Sequence, residues 1–431
     1  MKRARILLIT GLLPWPAYRF GGPQRSALIL AALERIGTVD ILLMAPPGGP
    51  IGPADEHADR FRIAARFQAA PPAPAGPWRH LARVPSGAVA RLGKQLSEIH
   101  GQYEPDADAS SWLRSRIDVG AYDLVVCRHL RPALLAGADQ LAKVPRILDL
   151  DDIDWRLLAS QIQTAPWPGW KGSIATTLAL RTSRRIGDSS AGRFDVVWVA
   201  SDEDRAAIQA PRVRVLPNVP FQQPGSPPIE PCPHRPESRR ILCVSELSYA
   251  PNRDGIDHFI RQVWPTVHRA EPGATLQLAG GGLDDDSRRR WSSAGGIEVS
   301  GFVEDLRAAY DRAACTIAPI FWGGGTKIKV IESLAYGRTC VATPHALHGY
   351  GAHLRHGESI WRGGTDAEMA DGCIRLLRDA DLRERMAAEG HRVVTSRFSP
   401  AAFSGEVLAA CRTLLEERPI QPGMLRAAPP K

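Results

Sequence analysis

Residues 315–343 read CTIAPIFWGGGTKIKVIESLAYGRTCVAT, and this segment carries the strongest fold signal in the chain. The apolar run Cys315–Ile320 predicts a buried strand, and it leads directly into three glycines at 323–325. Apolar residues at helical spacing predict a helix over 326–336, and a second short strand over 339–343 follows. In a strand, glycine loop and helix of this kind, backbone N–H groups at the helix N-terminus receive an anion.

Three charged side chains give the predicted helix its chemical character. Lys327 and Lys329 fall in its first turn, where the helix dipole disfavours cations unless an anion is bound nearby. A diphosphate in the loop would reverse the local charge, and Glu332 offers a carboxylate to two ribose hydroxyls. The same residues also fit a solvated helix start with an incidental Lys–Glu pair. The segment lacks the Gly-Lys-Ser/Thr of a Walker loop and does not read GxGxxG.

Composition indicates a globular protein with two domains. The chain has 431 residues, of which 44% are hydrophobic and 23% are charged. Its seven cysteines are scattered without a CxxC pair, which favours a reducing compartment over a disulfide framework or a zinc site. No run approaches the roughly 18 apolar residues that a membrane span needs. The basic, apolar N-terminus is interrupted by Pro14 and Pro16, so we interpret it as a first strand and not as a signal peptide.

The positive charge is concentrated in the first half of the chain. Residues 1–216 hold 28 Lys and Arg against 21 Asp and Glu, within a net charge of +8 for the whole chain. Such an excess indicates an anionic partner, namely a lipid diphosphate, a membrane surface or nucleic acid. A generic solvated surface with no such partner is the alternative. Nucleic acid is the weakest of these because the sequence contains no recognised nucleic-acid-binding module.

The strand, loop and helix pattern recurs along the whole chain. In the first half, glycines 21 and 22 and Pro23 separate a strand over 6–11 from a helix over 24–33. The proline-rich segment 221–238 is a linker, after which a loop over 248–255 is predicted to precede a helix over 256–263. Further strands are predicted at 39–45, 123–127, 146–150, 194–201, 213–220, 240–245, 274–279 and 297–301, and the region 46–117 shows little periodicity.

Polar residues follow two of the predicted strands, at the edge where open parallel sheets bind ligands. His129 follows the strand over 123–127, although a lone histidine is more often structural. Asp149 and Asp151 project to the same side of the next strand, so one of them is expected to have a raised pKa and to act as an acid or base. With Asp152 and Asp154 they form a group of four acids that also fits a metal site.

The string GGTKIKVIESLAYG, followed by VAT, resembles the nucleotide-sugar signature of retaining glycosyltransferases of family 4. The resemblance implies an α/β protein of the GT-B type, in which two Rossmann-like domains face a central cleft, with no cofactor and no metal. It predicts an N-terminal acceptor-side domain, 1–220, and a nucleotide-sugar-binding domain, 239–399. A linker over 221–238, a helix over 400–416 that returns to the first domain and a flexible tail over 417–431 complete the predicted organisation.

The resemblance also assigns roles to residues of this sequence. Lys327 is expected to stabilise the leaving diphosphate, and Asp151 stands where many relatives have a histidine near the transferred sugar. Gly324 replaces the first of the two glutamates that many relatives carry, as in a branch that reads G-x-K-x-K-x-x-E. The expected catalytic residues are thus Lys327 and Asp151, and the expected substrate-binding residues are Gly21, Gly22, Arg25, His129, Arg253, Val303, Gly325, Thr326, Ile328 and Glu332.

The implied function is sugar transfer from a nucleoside diphosphate sugar to an acceptor hydroxyl with retention, in bacterial surface glycan or exopolysaccharide synthesis. The expected partners are the donor and a glycan or lipid-linked acceptor, with no nucleic acid. The expected location is the cytoplasm, with peripheral contact to the inner membrane. Three alternatives stay open, which are a non-catalytic nucleotide-sugar-binding protein, a GT-B nucleotide-sugar 2-epimerase and a nucleic-acid-binding protein.

Overall fold

A computed structural model of the chain describes residues 3–14, 21–47, 60–73, 75–77, 79–80, 88–164, 169–222 and 224–417. The chain divides into two compact units. Unit 1 comprises the residues up to Ala200, then Asp204–Leu216, and the residues from Ser404 onward. Unit 2 comprises Ser201–Glu203 and Pro217–Phe403. The predicted tail over 417–431 lies outside the described residues, apart from Glu417.

Unit 1 is built on a parallel sheet of seven described strands. They are β1 (Ala4–Thr10), β2 (Gly37–Ala45), β3 (Ile63–Gln68), β4 (Leu124–Arg128), β5 (Arg146–Leu150), β6 (Val196–Val199) and β7 (Val213–Val215). Their order across the sheet is β3-β2-β1-β4-β5-β6-β7, and every neighbouring pair is parallel. After β3, at one end of the sheet, the chain returns to the middle and adds β4 on the other side of β1. The connections that follow β1 and β4 therefore run in opposite directions from the carboxyl edge. This divergence creates the crevice where such sheets bind ligands.

The strands of unit 1 are buried on both faces, as parallel sheets require. Ile6, Leu7, Leu8 and Ile9 of β1 are all fully buried. The helices that cover the sheet and connect its strands are α1 (Gly21–Glu34), α2 (Ala88–Gly101), α3 (Ala107–Asp118), α4 (Leu130–Leu135), α5 (Asp154–Thr164) and α6 (Gly169–Ala191). The short helix α7 (Asp202–Arg205) has residues in both units.

Unit 2 repeats this design with six described strands. They are β8 (Arg240–Val244), β9 (Thr275–Ala279), β10 (Ile297–Gly301), β11 (Cys315–Ala318), β12 (Cys340–Ala342) and β13 (Trp361–Arg362). The order is β10-β9-β8-β11-β12-β13, again with parallel pairs throughout. The crevice of this sheet therefore lies between the carboxyl ends of β8 and β11.

The helices of unit 2 pack on an apolar core that includes β11 and β12. A π-helical turn, Phe259–Val263, joins the helix Ala250–His258 to the helix Trp264–Ala270. The described helices are α8 (Ala250–His258), α9 (Trp264–Ala270), α10 (Asp285–Ser292), α11 (Leu306–Arg312), α12 (Ile328–Ala335), α13 (Asp366–Arg378), α14 (Ala380–Arg397) and α15 (Pro400–Glu417), the last of which continues into unit 1.

The predicted starts of the helices after β1 and β8 are wrong. Helix α1 begins at Gly21, so glycines 21 and 22 belong to its first turn and not to a loop before it. Helix α8 begins at Ala250 and not at Ile256, because Pro251 fits the first helical turn, where a missing N–H is no loss. The strand predictions for both units are confirmed to within a few residues at each end.

Two further observations bear on the environment of the protein. All seven cysteines are buried and free. Among the described helices, none is long and apolar enough to cross a membrane.

Candidate functional site

The loop between β11 and α12 is shaped by its glycines. Gly323 and Gly325 have φ angles of 115° and 62°, in the region that glycine adopts easily and other residues avoid. A Cβ atom on Gly323 would also lie 3.1 Å from Cγ of Pro251. Lys327 has φ −93° and ψ 87°, so α12 begins only at Ile328. The prediction that Lys327 lies within the first helical turn is therefore wrong.

Side-chain donors bind all three carbonyl groups of the glycine loop. Lys327 Nζ lies 2.6 Å from Gly324 O and 2.7 Å from Gly325 O, and His345 Nε2 lies 3.0 Å from Gly323 O. In a trans peptide the N–H points away from the carbonyl of the same peptide unit, so each amide that follows one of these glycines points away from the side chain that binds that carbonyl. Within the described chain these three amides donate no hydrogen bond. The loop therefore carries three unpaired amide donors just before a helix, and such donors at a helix start bind anions.

Lys329 lies in the first turn of α12, at the crevice of the unit 2 sheet. Its Nζ atom donates to Ser245 Oγ at 2.6 Å and to Asn252 Oδ1 at 2.7 Å. Ser245 directly follows β8, and α12 follows β11. The Lys329 side chain therefore links the segments that come after the two strands on either side of the crevice. Burial of the ammonium lowers the pKa of Lys329 to about 8. This lysine therefore holds a positive charge at the crevice near neutral pH.

Glu332 is a buried acid with one unpaired oxygen. Its side chain is 1% exposed, and Oε2 accepts a hydrogen bond from the Tyr310 hydroxyl at 3.1 Å. Tyr310 in turn stacks on Tyr336 with 4.4 Å between ring centroids. No partner for Glu332 Oε1 is found among the described residues. Because an unpaired buried acceptor is costly, a hydroxyl of a ligand would stabilise this group.

Burial raises the pKa of Glu332 to about 7, although Tyr310 and Lys329 act in the opposite direction. The unfolded chain releases this proton near the ordinary value of 4.5, so the folded state loses stability as the pH rises from about 4.5 to about 7. We therefore expect the unfolding temperature of Glu332→Gln, relative to wild type, to rise between pH 5 and 7 and then to level off.

Thermal unfolding at several pH values measures this difference. Glu298→Gln is the matched control, because the pKa of Glu298 is lowered and not raised: burial alone would raise it, but Arg240 and Ser300 lower it. The control should show no such rise. Parallel pH profiles of Glu332→Gln and wild type would contradict the raised pKa.

The other predicted residues of unit 2 lie around the same edge of the sheet. Thr326 Oγ1 accepts a hydrogen bond from Asn218 Nδ2 at 2.9 Å. Ile328 is the first residue of α12 and packs against the core. Arg253 lies half-buried in α8. Val303 follows β10 and packs on the cluster that contains Tyr310.

Three exposed aromatic rings lie at the carboxyl edge of the unit 2 sheet. Tyr249, Phe302 and Phe321 are 45%, 56% and 42% exposed. They follow β8, β10 and β11, so all three lie at the carboxyl edge of the unit 2 sheet. Large exposed rings at one edge indicate a contact surface for a flat or apolar ligand group.

Unit 1 contains a buried cluster of Arg25, Arg128 and Asp149 at its own crevice. Arg25 Nη2 and Nε lie 2.7 Å and 2.9 Å from the two oxygens of Asp149, and Arg128 Nη1 binds the same carboxylate. None of the three residues is more than 1% exposed. The guanidinium of Arg25 is engaged with Asp149. Its contact with phosphate stays a prediction.

The two guanidinium groups decide the protonation state of Asp149. Burial alone would raise its pKa, but Arg25 and Arg128 together lower the pKa to about 2. The prediction of a raised pKa is therefore wrong for Asp149. Asp154, another of the four acids at the end of this strand, has a pKa that burial raises. It accepts a hydrogen bond from the Tyr103 hydroxyl.

His129 and Asp151 lie beside this cluster. The oxygens of Asp151 are 4.0 Å from Arg25 Nε and 3.6 Å from Arg128 Nη2. His129 has φ 65° and ψ 150°, a strained conformation for a residue with a side chain, and such strain is often found at functional sites. Burial, and then Arg128, lowers the pKa of His129 to about 4, so its ring is neutral at pH 7.

The predicted glycine pair also reaches this region. Gly22 O accepts a hydrogen bond from Arg128 Nη2 at 3.4 Å. Gly21 is the first residue of α1. The structure thus brings Gly22, Arg25, His129 and Asp151 to one edge of unit 1.

Several site residues were missed by the sequence reasoning. Arg128 stood in a polar cluster at a strand end, which is a usable signal. Tyr310 and Ser245 had no motif, since their roles depend on contacts with α12. In the described ranges, no group of three or more His, Cys, Asp or Glu side chains is arranged to hold a metal ion.

Comparison with known proteins places the chain in a structural class. Residues 238–379 match the model of the family Glycosyl transferases group 1. Sucrose-phosphate synthase from Thermosynechococcus elongatus has a TM-score of 0.65 at 15% identity, over 96% of this chain and 100% of that chain. HepE from Anabaena, solved with UDP and glucose, has a TM-score of 0.62 at 15% identity, over 95% of this chain and 100% of that chain.

A third solved structure is a single-residue mutant of TarM from S. aureus in complex with Fondaparinux, alpha-GlcNAc-glycerol and UDP. It has a TM-score of 0.53 at 12% identity and covers 74% of this chain, which spans 58% of that chain. A sequence comparison with curated proteins returns no match.

The protein has the GT-B fold, with two Rossmann-like α/β domains, which confirms the predicted fold class. The segment 238–379 that matches the model of Glycosyl transferases group 1 lies within unit 2 and contains the glycine loop, Lys327 and Glu332.

Proposed function

We propose that the protein is a retaining glycosyltransferase of family 4, which moves a sugar from a nucleoside diphosphate sugar to an acceptor hydroxyl. The observation that carries this proposal is the start of α12. Unpaired amides follow the three glycines, Lys327 binds the carbonyls of the last two of these glycines, and Glu332 has an unpaired oxygen one turn further along. A diphosphate and a ribose carry the groups that match these donors and this acceptor. HepE has been solved with UDP-glucose, which supports a donor of this class.

In the proposed reaction, the bond between C1 of the sugar and the diphosphate oxygen breaks, and the diphosphate leaves with the electron pair. The acceptor oxygen bonds to C1 on the same face, and its proton passes to the released diphosphate. Negative charge grows on the leaving group, where the unpaired amides and Lys327 would stabilise it most strongly in the transition state. Asp151 and His129 are the proposed contacts to the sugar or the acceptor.

The proposed acceptor is a glycan or a lipid-linked glycan. The excess of positive charge in residues 1–216 favours an anionic acceptor such as a lipid diphosphate. The proposed setting is surface glycan or exopolysaccharide synthesis in the cytoplasm, at the inner membrane.

Release of nucleoside diphosphate from a panel of nucleotide sugars, measured with and without EDTA, tests the proposed function. We expect one donor to be hydrolysed, at a rate that EDTA leaves unchanged, because amides and Lys327 supply the stabilising charge. Loss of activity in EDTA would contradict metal independence.

One observation favours a second function, that of a non-catalytic nucleotide-sugar-binding protein. Gly324 occupies the position where many relatives of the family have a carboxylate. Tight donor binding without turnover, with acceptors supplied, would support this alternative against the enzyme.

We expect Glu332→Ala to raise the KM for the donor about tenfold and to change kcat less. A ribose contact is equally strong in the ground state and the transition state, so its loss weakens binding and not the chemical step. Steady-state kinetics measure this split. Glu358→Ala, a change at a side chain that is 61% exposed, is the control, and an unchanged KM in Glu332→Ala would contradict the ribose contact.

A further inference from the structure

His345 is held in place by the end of the unit 2 sheet. It lies three residues beyond β12, next to Thr343, whose hydroxyl donates to Ile320 O and accepts from Ala346 N. The following residues, Ala346 and Leu347, are buried in the core. The imidazole is therefore presented to the glycine loop from a fixed position.

The contact with Gly323 defines the state of the ring. A carbonyl oxygen only accepts hydrogen bonds, so the Nε2 atom that lies 3.0 Å away carries the proton. Burial, and then the neighbouring Lys327, lowers the pKa of His345 to about 4. At neutral pH the side chain is thus an uncharged donor that adds no repulsion to Lys327.

The glycine loop depends on such external contacts for its shape. Glycine adopts positive and negative φ angles about equally, so three glycines in a row have little preference of their own. A rotation of the peptide plane after Gly323 would change the direction in which the Gly324 amide points. Lys327 binds the carbonyls of Gly324 and Gly325, and His345 binds the Gly323 carbonyl.

We propose that His345 is a positioning residue, which holds the Gly323 peptide so that the next amide faces the diphosphate of the donor. This proposal rests on the proposed function and deepens it. His345 does not touch the donor in this account, since it acts through the backbone of the loop. Its loss should weaken diphosphate binding without a matching loss of folding stability.

Titration calorimetry of the full chain with UDP, together with thermal unfolding, tests this role. We expect His345→Ala to bind UDP about tenfold more weakly, the size of effect that one orienting hydrogen bond gives. His345→Gln places an amide donor near the position of Nε2 and should restore binding to within about threefold of wild type. His348→Ala, a change in the same segment, is the control and should bind as wild type does.

Three outcomes would overturn the inference. The first is wild-type affinity in His345→Ala, and the second is equal weakening in His345→Ala and His345→Gln. The third is a loss of affinity that follows the unfolding temperature, which would indicate a merely structural role. If the wild-type protein binds none of UDP, GDP and ADP, the proposed function itself fails, and this inference fails with it.

Discussion

Replacement of Lys327 by alanine is expected to lower the rate of sugar transfer roughly 10²–10³-fold, the effect of removing one charge-stabilising donor from an active site. Lys327 as a whole residue is 8% exposed, so little solvent screens its charge. It also binds the carbonyls of Gly324 and Gly325, so its loss frees the loop as well as removing the charge. Transfer rates at saturating donor and acceptor measure the effect.

Lys143→Ala is the matched control for this prediction. It removes the same charge from a side chain that is 70% exposed and paired with Asp118. The control should transfer sugar at the wild-type rate. A Lys327→Ala enzyme with near wild-type transfer would remove Lys327 from the mechanism.

The second large effect is expected at Asp149, and it concerns stability. Asp149→Ala leaves the buried guanidinium groups of Arg25 and Arg128 without their carboxylate. Breaking a buried ion pair in this way costs about 3–5 kcal/mol. For a domain of this size, the unfolding temperature should fall by on the order of 10 °C. Urea denaturation and calorimetry measure the free energy of unfolding and the temperature.

Asp118→Ala provides the comparison, because it breaks an exposed ion pair in the same unit. Exposed pairs contribute about 0–1 kcal/mol, so this variant should unfold almost as wild type does. Equal effects of Asp149→Ala and Asp118→Ala would show that the buried cluster contributes no more than a surface pair.

The strands and the glycine loop could be predicted from the sequence because their signals are local. The continuous apolar run of β11 and the glycines after it specify a strand and an anion-binding turn within a few residues. The start of α12 could not be predicted, because Lys327 is withdrawn from the helix while its side chain binds loop carbonyls. Helix propensity alone does not contain this competition.

The polar contacts of the candidate site are non-local, and sequence patterns do not reveal them. Arg25 and Asp149 are separated by 124 residues, so the lowered pKa of Asp149 depends on a fold that brings their side chains into contact. Tyr310 reaches Glu332 from another helix, 22 residues away. The sequence therefore predicted which carboxylates mark the two crevices, but not which of them would be charged.

The central claim is that a sugar is transferred with retention, and NMR of the transfer product tests it most directly. The donor identified by the hydrolysis panel is incubated with the enzyme and an acceptor, and the anomeric proton of the linked sugar is assigned. We expect an intact, unepimerised sugar with the same anomeric configuration as in the donor. An inverted linkage, a released 2-epimer or a donor that stays bound and unconverted would contradict it.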